Sequence, residues 1–184
     1  PFTAVMVFQL IEEGKLTLDT RLARFFPAMP NADKITIEQL LSHRSGIYDY
    51  FAHPRYESRV FGRPRHRWST NEILALKGPR YCRPDTCFHY SNTNYVILGR
   101  IAEVVGGAPL HEQLRQRFFE PLGMADTVYQ PAERPPADAA HGHWDYGTGY
   151  SDHTRESRLR PFEAALTVAG AAGAVASTAK DLST

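Results

Sequence analysis

The sequence has little of several features that would assign a chain to a particular class. Its formal net charge is only +1 over 184 residues, and nucleic-acid binders normally carry a basic patch or stripe. No apolar run is long enough to span a bilayer, and no signal peptide is recognisable. Cysteine occurs only twice. What is present, 42% apolar residues, is enough for the core of one domain or of part of a larger one.

The chain begins at Pro1 inside an apolar helical pattern, without an initiator methionine or a capping residue. At the other end, Ser177 or Thr178 can cap a last helix that stops at Thr184. We therefore expect residues 1–184 to form one partial domain that is truncated at both ends. No internal repeat and no domain linker interrupts it.

Cys82 and Cys87 lie close together in a loop rich in Arg, Pro and Asp. Their spacing suits a disulfide if the protein is exported, and it suits two unpaired thiols if the protein stays in the cytosol. It matches neither a zinc site nor a redox Cys-x-x-Cys motif. Both alternatives remain open from the sequence.

Local signals predict several helices. The first covers residues 1–13, is apolar nearly all round and hence buried, and ends at Gly14. Capping boxes at Thr36–Gln39 and Ser69–Glu72 begin short helices that run to Leu41 and Leu76.

A longer apolar helix is predicted from Asn92 to Val105, and the Gly106-Gly107 pair ends it. Pro109 suits the start of the next helix, so the two form an αα-hairpin. The last segment, residues 164–184, is rich in small residues that allow close backbone approach.

The tripeptide Tyr90-Ser91-Asn92 lies where a loop turns into the long helix. If the helix starts at or after Ser91, the side chains of Tyr90 and Asn92 can point to one side, because extended backbone has a side-chain period of two. A phenol can move a proton, and a carboxamide can bind a substrate or a neighbouring lysine. The simpler interpretation is a capped helix with a buried tyrosine at its entry.

Two other stretches are candidates for function. His43 and Ser45 resemble a base and a nucleophile, but they are close in sequence at a helix end, so we expect both to brace the turn. Residues 48–68 interleave aromatic and arginine side chains, a pattern found in single-stranded nucleic-acid binders. With so little net charge, we expect a loop over a pocket or arginine stems packed on rings.

A histidine cluster invites a metal interpretation. His141, His143 and His153 lie near Asp145 and Asp152, but no spacing matches a structural zinc site, and the stretch is full of turn residues. We therefore predict no metal site. A metal-binding helical protein is kept as a third functional hypothesis, after the two that are given below.

Together the stretches resemble the serine β-lactamase and penicillin-binding-protein superfamily, in the branch of class C β-lactamases, D-alanyl-D-alanine carboxypeptidases and related esterases. Four blocks in the family's order carry the resemblance: residues 1–19, residues 35–47, residues 90–107, and residues 119–124 with residues 177–182. Where the family commonly has Pro-Gly-Thr before the tyrosine, this chain has Pro84-Asp85-Thr86, and Asp tolerates positive φ less well than Gly.

The resemblance implies an α+β fold, an antiparallel sheet flanked by helices plus a helical lobe, with this chain supplying mostly the helical part. It implies a serine hydrolase that forms an acyl-enzyme on an amide, β-lactam or ester. Tyr90 would be catalytic and Asn92 would bind the substrate or the lysine. The family's Ser-x-x-Lys would end just before Pro1, and its third motif would follow Thr184, so the chain alone should be inactive.

Further expectations follow from the resemblance. No cofactor is needed, the substrate is a small molecule or a peptide, and the location is secreted or periplasmic. The second hypothesis is a non-catalytic relative that keeps the fold for binding or scaffolding.

Overall fold

The computed structural model describes residues 1–130, 132–135, 143–145, 150–152 and 163–184, and at 143–145 and 150–152 it describes the backbone alone. Its helices are α1 Phe2–Glu12, α2 Ile37–Leu41, α3 Tyr56–Phe61, α4 Thr70–Leu74, α5 Asn92–Gly106, α6 Leu110–Leu114, α7 Glu163–Gly173 and α8 Ala179–Leu182. Its strands are β1 Val128–Tyr129, β2 His143–Asp145, β3 Tyr150–Asp152 and β4 Val175–Ala176. The described chain is α+β and mostly helical, as predicted.

Helix α1 forms where the apolar pattern predicts it, and Gly14 follows it with a φ of +72°. Met6, Val7 and Leu10 are fully buried. Contrary to the prediction of a helix buried all round, the described residues leave Val5 and Phe8 each 47% exposed. The described residues, α5 above all, pack on one side of α1 only.

Both capping boxes are confirmed. Thr36 Oγ1 accepts a hydrogen bond from the Gln39 backbone N–H at 3.2 Å, and the Gln39 side chain accepts one from the Thr36 N–H at 3.2 Å. Ser69 and Glu72 make the same reciprocal pair at the start of α4. Helix α4 ends at Leu74, two residues before the predicted end.

Helix α5 packs against both α1 and α7 and supplies several fully buried residues of the main core. Gly99 allows α7 to approach, because a Cβ placed on Gly99 would lie 2.2 Å from the Cβ of Ala171. Thr3 Oγ1 of α1 donates a hydrogen bond to the Ala171 carbonyl at 2.6 Å. The small residues predicted to permit close approach therefore let three helices meet.

The predicted hairpin of two helices is present. Gly107 takes a φ of +74° after α5, and Gln113 of α6 donates back to the Ala102 carbonyl at 3.0 Å. After α6 the chain continues as one turn of π-helix, Arg115–Phe119, before Pro121.

Two small antiparallel pairs complete the described chain. Strand β1 pairs with β4, with Val128 opposite Ala176, and β2 pairs with β3. Strand β1 has only two residues, which are too few to give a periodic signal in the sequence. No helix among the described residues is long and apolar enough to cross a membrane.

Candidate active site

Tyr90 lies on the extended segment that enters α5, and its side chain is 55% exposed. Its hydroxyl donates a hydrogen bond to Asn92 Oδ1 at 3.3 Å. The two side chains therefore meet on one side of the segment. The simpler interpretation, a tyrosine buried at the helix entry, does not describe this geometry.

Ser91 occupies the N-cap position of α5 with extended backbone, φ −149° and ψ 118°. This conformation separates Tyr90 from the helix and gives Tyr90 and Asn92 their common direction. Ser91 does not cap with its side chain. Its Oγ is buried and has no hydrogen-bond partner among the described residues.

The carboxylate of Asp49, which no motif in the sequence marks, holds the side chain of Asn92. Asn92 Nδ2 donates to Asp49 Oδ2 at 3.0 Å. Asp49 Oδ1 accepts from the Phe51 backbone N–H at 3.2 Å, and the Asp49 N–H donates to the Tyr81 hydroxyl at 3.2 Å. No local pattern marks Asp49, because its partner Asn92 is 43 residues away in sequence.

Ser45 braces its own turn, and both His43 and Ser45 contact the start of α5. His43 Nδ1 accepts from the Ser91 backbone N–H at 3.2 Å and lies 3.3 Å from Asn94 Nδ2. Ser45 Oγ donates to Asn94 Oδ1 at 2.7 Å and accepts from the Ile47 N–H at 3.1 Å. The prediction that both side chains brace the turn is confirmed for Ser45, which holds the Ile47 N–H, whereas the hydrogen bonds of the His43 side chain go to the start of α5.

Aromatic rings surround the His43 side chain. Its ring centroid lies 4.4 Å from that of Tyr90 and 5.2 Å from that of Tyr95. Burial lowers the pKa of His43 below 6.5. The neutral ring is the form that fits, because a protonated Nδ1 cannot accept the N–H of Ser91.

The loop before Tyr90 is closed by a disulfide between Cys82 and Cys87. The structure thus decides between the two alternatives that the sequence left open. Asp85 adopts a φ of +66°, and Arg44 holds it with hydrogen bonds of 2.7 Å to its carboxylate and to its carbonyl. An aspartate therefore occupies the turn position that the family commonly gives to glycine.

Residues 48–68, the segment rich in aromatic and arginine side chains, contribute to a second buried cluster. They were expected to form a loop over a pocket or to pack arginine stems on rings. Tyr50 is fully buried and donates from its hydroxyl to the Val168 carbonyl at 2.6 Å, and burial raises its pKa. Val60 and Trp68 belong to the same buried cluster. The rings of Tyr50, Phe51 and Tyr56 pack on one another.

The histidine cluster falls mostly outside the described residues. His141 and His153 are not described, and for His143, Asp145 and Asp152 only the backbone is. Among the side chains that are described, no group of three or more His, Cys, Asp or Glu residues could hold a metal ion.

The mostly helical fold, with Tyr90 and Asn92 at the entry to α5, is the arrangement expected of β-lactamase-like and penicillin-binding proteins. The sequence model described as Beta-lactamase matches residues 1–184, and the chain belongs to that family.

Individual relatives agree with this assignment. Penicillin-binding protein 4 of Amycolatopsis lactamdurans is 37% identical over 137 residues, which are 72% of this chain and 34% of that protein. The D-stereospecific amidohydrolase from Streptomyces sp. superimposes with a TM-score of 0.83 at 31% identity, over 98% of this chain and 55% of that one. D-amino acid amidase from Ochrobactrum anthropi SV3, solved in complex with L-phenylalanine, superimposes with a TM-score of 0.82 at 32% identity, over 99% of this chain and 50% of that one. The chain thus spans about a third of the curated relative and about half of each solved chain.

Proposed function

We propose that this chain is part of a serine hydrolase that cleaves an amide, β-lactam or ester through an acyl-enzyme. Membership of the Beta-lactamase family supports this reaction class. The observation that carries the proposal is the exposed Tyr90 hydroxyl, which meets the Asn92 carboxamide at the N-terminus of α5.

In the proposed reaction Tyr90 moves protons. It helps to take the proton from the attacking serine, together with a lysine, and it later activates the water that releases the acyl group. Asn92 holds the amide of the substrate or the lysine. The reaction requires no metal and no organic cofactor, because every proton and nucleophile comes from a side chain or from water.

The nucleophile is proposed to come from outside the 184 residues. A Ser-x-x-Lys motif ending immediately before Pro1 would place the serine at the start of helix α1, where backbone N–H groups and the helix dipole favour developing negative charge. The third motif of the family would follow Thr184. The isolated chain is then expected to bind no covalent serine probe.

The relatives favour a substrate class. A D-stereospecific amidohydrolase and a D-amino acid amidase both superimpose with more than 30% identity. We therefore propose an amide with a D-configured residue on its acyl side, a small molecule or a peptide and not a nucleic acid. The bonded Cys82 and Cys87 favour a secreted or periplasmic location, because disulfides persist in oxidising compartments.

The test is covalent labelling of the intact protein with a fluorescent penicillin or a fluorophosphonate, in wild type, Tyr90→Phe and Tyr129→Phe. Tyr129 lies on β1, away from the site, and serves as the matched control. We expect Tyr90→Phe to slow labelling about 10²- to 10⁴-fold, the usual contribution of a positioned acid–base group. Tyr129→Phe should label at the wild-type rate.

Two results would contradict the proposal in different ways. Full-rate labelling of Tyr90→Phe would remove the proton-transfer role from Tyr90. Wild-type protein that takes no label from either probe would support the alternative of a non-catalytic binding or scaffold protein. Hydrolysis rates for D- and L-phenylalanine amide, a chromogenic cephalosporin and a p-nitrophenyl ester then choose the substrate class, with the D-amide expected to be fastest.

A further inference from the structure

The carboxylate of Asp49 faces the carboxamide of Asn92 across 3.0 Å. An ionised carboxylate only accepts hydrogen bonds, whereas a carboxamide has one end that donates and one that accepts. Asp49 can therefore face only the NH₂ end of Asn92. The carbonyl end must then point the other way, and the Tyr90 hydroxyl does lie at that end, 3.3 Å from Asn92 Oδ1.

Asp49 is itself fixed at two points. Its second oxygen, Oδ1, accepts the backbone N–H of Phe51 at the start of the short 3₁₀ turn Tyr50–Ala52. Its own backbone N–H donates to the Tyr81 hydroxyl at 3.2 Å, and the Tyr81 ring is stacked on that of His89, next to Tyr90. The carboxylate thus has a defined orientation.

We propose that Asp49 is a positioning residue for the reaction, an inference that rests on the proposed function. Asp49 sets the polarity of the Asn92 carboxamide, so that the site presents an oxygen next to Tyr90. An oxygen at this place binds an N–H donor, either the amide N–H of the substrate or the ammonium of the lysine. It does not bind a substrate carbonyl, which would require the opposite orientation of Asn92.

Substitution of Asp49 by asparagine separates the effect on Asn92 from the effect on the 3₁₀ turn Tyr50–Ala52. The Oδ1 of an asparagine still accepts from the Phe51 N–H, so the 3₁₀ turn keeps its cap. The other atom becomes an NH₂ group, which cannot accept from Asn92 Nδ2. Asn92 then either rotates its carbonyl toward position 49, which removes the oxygen beside Tyr90, or keeps its orientation with no partner to hold it, so that in both cases the oxygen beside Tyr90 is no longer fixed.

The experiment is a double-mutant cycle of Asp49→Asn and Asn92→Ala in the intact protein. The two quantities measured are the rate of labelling by fluorescent penicillin and the rate of hydrolysis of D-phenylalanine amide. We expect Asp49→Asn to lower both rates about 10- to 100-fold, the size of effect that a misplaced group has. In an Asn92→Ala background the same substitution should change them less than about two-fold, because the residue that it orients is gone. Asp19→Asn, on the exposed side of the chain, is the matched control and should have no effect.

Equal losses from Asp49→Asn in both backgrounds would overturn the proposal, since the effect would not pass through Asn92. An unchanged rate in the single variant would overturn it as well. Hydrogen exchange of the Asn92 side-chain NH₂, followed by NMR, is a readout independent of activity. Exchange should accelerate in Asp49→Asn and stay as in wild type in Asp19→Asn. Unchanged exchange contradicts the role of Asp49 itself, whereas faster exchange in a protein that takes no label contradicts only the proposed function.

Discussion

At the scale of single residues, His43 joins the turn after α2 to the first turn of α5. Its backbone takes a φ of +56°, which is unusual for a residue with a side chain, and its Nδ1 accepts the Ser91 N–H. Its ring lies against the ring of Tyr90. The neutral imidazole therefore supports the segment that carries Tyr90 and Asn92.

This arrangement predicts a pH dependence. Because burial lowers the pKa of His43 below 6.5, the unfolded chain binds this proton more readily than the folded chain. The contribution to stability is complete above pH 6.5 and is lost as the pH falls from there through the lowered pKa of the folded state. His43→Asn keeps an acceptor near the Nδ1 position, tolerates positive φ and does not titrate. Urea unfolding above and below pH 6.5 should show a smaller loss for the variant than for wild type. Equal losses would show that His43 is not the titrating group.

At the scale of elements, the contact between α5 and α7 depends on glycine. Gly99 of α5 leaves room for Ala171 of α7. Gly170, which precedes Ala171 in the sequence, has a φ of 44° and a ψ of −132°, and this backbone conformation interrupts the helical geometry of α7. Beyond this kink α7 continues to Gly173, and the chain then enters β4, which pairs with β1. Small side chains at these positions therefore fix how α7 lies on the central helix.

Gly99→Ala is expected to destabilise the protein by about 1–3 kcal/mol, the usual cost of overpacking a tight contact. The added Cβ would overlap that of Ala171, and neither helix can move without disturbing the core. Gly173→Ala is the control, because a Cβ there would have its nearest neighbour at 3.9 Å. Chemical unfolding of the intact protein measures both. A loss for Gly173→Ala as large as that for Gly99→Ala would mean that the close approach is not the cause.

At the scale of the whole molecule, distant parts of the chain are connected by a few polar contacts across two buried clusters. Asp181 of α8 is buried and accepts hydrogen bonds from the Asp126 N–H and the Thr127 hydroxyl. Backbone hydrogen bonds connect the loop that contains the disulfide to the turn after α2. The Asp85 N–H donates to the Arg44 carbonyl, and the His89 N–H donates to the His43 carbonyl. The entry to Tyr90 is thus fixed to the fold from outside α5.

Removal of the disulfide tests how much this loop contributes. Cys82→Ser with Cys87→Ser should lower the free energy of unfolding by about 2 kcal/mol, which is the estimate for the short loop that the bond closes. A reducing agent should destabilise the wild type by a similar amount and leave the double variant unchanged. Denaturant unfolding with and without dithiothreitol measures both effects. Wild-type stability that does not respond to reduction would show that the bond contributes little.

The elements that depend on neighbouring residues could be predicted from the order of amino acids. Helix α1 follows from its apolar pattern, α2 and α4 from reciprocal capping pairs three residues apart, and the end of α5 from Gly107. The contact between the side chains of Tyr90 and Asn92 could also be predicted, because residues i and i+2 lie on the same side of an extended backbone. These interactions are local, so the order of residues is sufficient to specify them.

The contacts that these elements make with distant parts of the chain could not be predicted in this way. The carboxylate of Asp49 reaches Asn92 across 43 residues, and His43 reaches the Ser91 N–H across 48. The exposure of Val5 and Phe8 likewise depends on which side of α1 the rest of the chain covers. Such contacts leave no periodic pattern in the sequence, because they depend on how separate elements pack together and not on the distance along the chain.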